Sequence, residues 1–195
     1  MNIHQLSVNY VQEHDRVLVR INTVAGEELR LWFTRRLTLG FMPLLSKVVA
    51  EQVAKTERVK SPYIAAADEH SQQILADFKK VESLQGSDFA TPYKEQPSAL
   101  PLGAEPLLVT EVNLTPLSNG QLQFVFSEKL SDAAPVDAKP RSFQMALEPK
   151  LTHGLMHLLE KAFEVSLWAM VSTAHPQPID ALPGERTMDR PKYLN

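Results

Sequence analysis

Two groups of residues in this chain have the types and spacing to do chemistry. His153 and His157 stand four apart, and Glu160 and Glu164 follow on the same helical face. Two imidazoles and a carboxylate one turn apart can bind zinc or another divalent ion. Gly154, however, holds the position that a His-Glu-x-x-His motif gives to its general base. The same residues lie opposite an apolar stripe, so the spacing predicts a solvated polar face, with a metal site as the alternative. The second group is Arg16, Arg20, Arg30, Trp32, Arg35 and Arg36. Arginine heads and an aromatic on one sheet face can track phosphates and stack bases. The same arginines can instead pair with Asp15, Glu27 and Glu28 across strands, and Trp32 can be buried under a neighbouring segment.

Other chemistries are excluded. The chain of 195 residues has no cysteine, so it has no disulfide, thiolate-held metal or thiol nucleophile. Its seven glycines are not clustered into a phosphate-binding loop. No Gly-x-Ser-x-Gly elbow, Asp-rich calcium loop or paired catalytic carboxylates are present. His4, His14, His70 and His175 are scattered, and nothing sets one beside a nucleophile. No cofactor is expected. A hydrophobic share of 44% against 22% charged residues describes a chain that folds. The net charge of −3 argues against a protein that coats nucleic acid. That charge is uneven, because residues 1–60 carry nine Lys/Arg against six Asp/Glu. No signal segment is visible, and the apolar stretch 37–50 is broken by Thr38, Pro43, Ser46 and Lys47. A cytoplasmic protein with no membrane partner is the expectation.

The elements that position these groups follow from periodicity. Residues 6–11, 17–23 and 28–33 alternate as strands, with Val17, Val19, Ile21, Leu29, Leu31 and Phe33 inward. Thr34 caps a helix over 37–55, in which Pro43 should cause a kink. Ser61-Pro62 opens an inserted helix over 62–84, whose stripe is Ala67, Ser71, Ile74, Phe78 and Val81. Residues 87–106 read as a strap anchored by Phe89, Tyr93, Leu100 and Leu102. Strands follow at 107–115, 121–128 and 142–147, the first pair turning at Asn119-Gly120. Pro149 then opens a second amphipathic helix, and residues 171–195 form a Pro-rich irregular tail.

The two halves also match. Leu37 to Lys47 lies opposite Leu151 to Lys161, with seven of eleven pairs identical. The same register sets Leu29, Leu31 and Phe33 on Phe143, Met145 and Leu147. The expected fold class is therefore α+β: two tandem βββα repeats in a pseudo-twofold antiparallel-sheet domain, each helix covering its own sheet. The units are 1–55 and 107–170, with the insertion at 56–106. The first helix is apolar or small all round, so the inserted helix or a subunit partner should cover it.

The run Ser142-Phe143-Gln144-Met145-Ala146-Leu147-Glu148 leads straight into an amphipathic helix. In this order of elements the chain resembles the single-stranded-nucleic-acid-binding PC4, Whirly and PUR-repeat families. Those folds carry four strands per unit, and three are visible here. The resemblance implies sheet platforms for single-stranded nucleic acid. The overall expectation is a non-catalytic binding or adaptor protein, monomer or homodimer, whose arginines meet nucleic acid or an acidic partner. The alternatives are a structural subunit of a larger complex and a metal-dependent enzyme using the cleft between repeats.

Overall fold

The computed structural model describes residues 2–60, 68–89, 91–94, 99–130 and 139–168. The Ser61-Pro62 cap, Ala67, His175 and the tail 171–195 lie outside the described residues. Among the described residues two sheets and three α-helices make an α+β structure. The first sheet has the order β1 (Ile3–Val11), β2 (Arg16–Thr23), β3 (Glu28–Thr34) and β4 (Leu107–Val109). The second has β5 (Glu111–Pro116), β6 (Leu122–Ser127) and β7 (Ser142–Leu147). The helices are α1 (Arg35–Lys60), α2 (Glu69–Gln85) and α3 (Pro149–Ser166).

Three expectations need correction. The strand expected over 107–115 is split at Thr110. Its first part pairs with β3 in parallel, and its second pairs with β6 antiparallel. The first sheet is therefore mixed rather than antiparallel, because α1, α2 and the strap return the chain to β3 in the same direction. Second, the helices cross over: α3 lies mainly on β1, and α1 reaches β5. Arg35 opens α1 directly after the last residue of β3, and only Glu148 separates β7 from α3. With so little loop, neither helix can reverse fully over the strand it leaves. Third, α2 starts at an Asp68 cap, whose Oδ1 accepts from the Ser71 N–H at 2.8 Å.

Alternation sets the core as the sequence predicts. Val17, Val19, Ile21, Leu29, Leu31 and Phe33 are buried, as are Leu122, Phe124, Phe126, Met145 and Leu147. They meet Phe41, Leu45 and Val49 from α1 and Leu155 and Leu159 from α3. Phe33 and Phe126 join the two sheets, with ring centroids 5.7 Å apart. Burying each such side chain contributes about 1.5–3 kcal/mol. Thr34 caps α1 as expected, its Oγ1 accepting from the Leu37 N–H. Pro43 stays inside that helix. By length and composition, residues Arg35–Glu57 of α1 could cross a membrane. Phe41, Leu45, Val49, Ala50 and Ala54 are buried among the other elements.

Candidate functional site

The sheet-face arginines lie beneath the strap. Asn22 Nδ2 donates to the Lys94 carbonyl at 2.8 Å, and the Gln5 side chain bonds the Pro92 carbonyl and the Lys94 N–H. This sets the Tyr93 ring 4.5 Å from the Arg20 guanidinium. The Tyr93 hydroxyl donates to Glu28 at 3.1 Å, and Arg30 Nε donates to the same carboxylate at 2.7 Å. Burial, then the Glu28 charge, pushes the Tyr93 phenol well above its ordinary range. Arg30 also reaches the Ala104 carbonyl. Trp32 is half-buried, with its ring 5.3 Å from that of His14. Arg35 bonds the Trp168 carbonyl, Arg16 is half-buried and Arg36 is exposed. Arg20, Arg30, Trp32 and Arg35 are thus drawn into different local contacts.

Two polar clusters escaped the sequence reading. Trp168 is buried and donates through Nε1 to Asp15 at 2.6 Å, while the Tyr10 hydroxyl donates to the same oxygen at 2.8 Å. These donors, Trp168 foremost, hold the Asp15 carboxyl below the usual carboxylate range. Arg141 likewise grips Glu128 with two nitrogens and also reaches the Leu102 and Glu105 carbonyls. That grip holds Glu128 below its ordinary value. Both clusters unite residues distant in sequence, so neither leaves a local spacing to read.

The polar face of α3 is buried at His153 and half-buried at His157 and Glu160, contrary to its expected exposure. His153 is buried, and its Nδ1 lies 2.9 Å from Ser83 Oγ on α2. Lys80 of α2 bonds Glu160 at 2.6 Å. His157 instead packs its ring 5.2 Å from that of Phe89. The two histidines therefore serve separate contacts, and Glu164 is exposed. Among the described residues no three His, Asp or Glu side chains cluster as metal ligands do. Burial, with Lys80 adding to it, pushes the His153 imidazole below its ordinary value.

The reason for this cover is the orientation of α2. Its stripe of Ile74, Phe78 and Val81 points outward, with exposures of 57%, 64% and 55%. The inward face is small and polar. Ala76 is buried, Gln73 bonds Ser46 on α1, and Lys80 and Ser83 bond α3. A small face lets α2 approach both helices closely, and its polar groups find partners there. Asp77 and Glu82 flank the outer stripe and are exposed.

No family model, characterised protein or solved structure matches this chain. Two candidate features are the exposed apolar stripe on the outer face of α2 and a half-open cavity beside His153. The sequence held the signal for the first, because Gln73, Lys80 and Ser83 already stand opposite the stripe. Polar residues that can pair across a helix interface are as good a packing face as apolar ones.

Proposed function

We propose that this chain is a non-catalytic binding protein of adaptor type that captures a basic amphipathic helix of a protein partner on the outer face of α2. The observation that carries this reading is the exposed stripe Ile74, Phe78, Val81 at i, i+4, i+7 spacing. That spacing suits a helix laid alongside it. Contiguous apolar surface on a folded protein marks interaction sites. Asp77 on one flank, with Glu82 on the other paired to Lys79, favours a basic rim on the partner over an acidic one.

The test titrates short amphipathic helical peptides into the full chain, one of leucine and lysine, one of leucine and glutamate. The lysine peptide is expected to bind at least roughly tenfold more tightly, and Phe78→Asp is expected to abolish that binding. Equal affinities, or binding indifferent to Phe78→Asp, would overturn the reading. Concentration-dependent dimers that Phe78→Asp dissolves would replace it with self-association.

The body that carries this face is, in the same proposal, a pair of βββα units. Support comes from matched positions. Thr38 and Thr152 are both buried, and each hydroxyl donates to the carbonyl four residues back, at 3.0 and 3.1 Å. Phe41 and Leu155 are buried alike, as are Leu45 and Leu159. Each helix also crosses onto the first strand of the other unit. Leu39 and His153 break the match, one partly exposed and the other buried, because α2 covers only the second.

A further inference from the structure

A half-open cavity of about 340 Å³ lies among α1, α2, α3 and the β5–β6 turn. Its volume falls in the range of small-ligand sites and far exceeds that of one water. Val49 and Val53 of α1 supply apolar wall. Most polar groups there are already committed. Gln52 bonds the Gly120 and Gln121 carbonyls of the turn, and the Thr152 hydroxyl donates to Glu148. Lys79 pairs with Glu82 at 2.9 Å.

His153 is different. The Ser83 hydroxyl donates its only proton to the Lys79 carbonyl at 2.8 Å. Ser83 Oγ can then only accept from His153, so Nδ1 carries the imidazole proton. The neutral ring is left with a lone pair on Nε2, for which no described residue provides a donor. His153 is 2% exposed and lines the cavity. Water entering the half-open cavity can meet that lone pair, and a ligand donor would displace it.

We propose that this cavity binds a small uncharged molecule with an apolar body and one hydroxyl or N–H donor, the donor seated on His153 Nε2. A simple carboxylate has no proton to give that nitrogen. The charged groups in the lining, Lys79 and Glu57, are opposite in sign, so the cavity favours neither an anion nor a cation. The apolar body fits against Val49 and Val53. This site is separate from the outer stripe of α2.

Phenol and toluene are the probes, alike in shape and differing in the donor. Each is titrated into full chain labelled with ¹⁵N-histidine, and the imidazole nitrogens are followed by NMR. Phenol is expected to shift the His153 Nε2 resonance saturably and to bind roughly tenfold more tightly than toluene. Val53→Phe, which fills the cavity, should abolish both effects. No shift of His153 Nε2 up to the solubility of phenol overturns the proposal. So does equal binding of the two probes, or phenol binding that Val53→Phe leaves intact in a folded variant. The comparison of phenol with toluene needs no variant, so it stands even if Val53→Phe misfolds.

Discussion

At the scale of single residues, Arg30 and Asp15 show how a charged side chain can be spent on the fold. Arg30 shares the buried Glu28 carboxylate with the Tyr93 hydroxyl. Removing one partner of such a pair leaves a poorly solvated charge behind. Arg30→Ala is expected to cost about 2 kcal/mol by urea unfolding, discounted because the guanidinium is partly exposed. Titration of labelled single-stranded DNA at low and high salt should give the same weak affinity for wild type and for Arg20→Ala with Arg30→Ala. A large loss of affinity in the double variant would restore the sheet face as a nucleic-acid platform. Asp15 has φ 47°, a left-handed conformation that Asp and Asn tolerate better than Ala. It also accepts from the buried indole of Trp168. Asp15→Ala should therefore cost about 2–3 kcal/mol. Asp15→Asn keeps an acceptor and the conformation, and should cost less than half as much in the same unfolding assay.

At the scale of elements, the strands were the most legible part of the chain, and α2 the least. A strand has two faces in strict alternation, so burying Leu29, Leu31 and Phe33 leaves no second arrangement. A helix offers a continuous circumference, and apolar residues mark its packing face only when packing is driven by apolar area. In α2 it is driven by the close approach of Ala76 and by bonds from Gln73, Lys80 and Ser83. Those partners stand on α1 and α3, outside any local window. The orientation makes a paired prediction. Phe78→Asp should change stability by less than about 0.5 kcal/mol, as exposed substitutions do. Ala76→Leu should cost about 1–3 kcal/mol by overpacking the interface. Thermal melts of the two variants check this, and the opposite order would mean that α2 faces the other way.

At the scale of the whole molecule, alternating strands and amphipathic helices made the α+β architecture readable, while the cavity beside His153 depends on how three helices meet. In the sequence match Leu39 lies opposite His153, and of the two only the imidazole is buried. Burial then links the fold to pH. Lys80 of α2 stands near the imidazole, itself paired to Glu160 of α3, and Lys79 of α2 and Glu57 of α1 line the same cavity. The folded imidazole holds its proton less well than a free one, whose pKa is about 6.5. As pH falls below that value, the unfolded chain takes up the proton first, so stability declines until the folded imidazole titrates as well. One group limits the slope to about 1.4 kcal/mol per pH unit. Asp15 and Glu128 have lowered pKa values, so their contribution is held through this window and is lost only in stronger acid. Urea unfolding at pH 8, 7, 6 and 5 should therefore show a first decline below about pH 6.5 that belongs to His153. In His153→Gln the protein should be weaker at pH 8 and flatter from pH 7 to 5. A wild-type profile already flat over that range would mean that His153 titrates in the fold as it does in water.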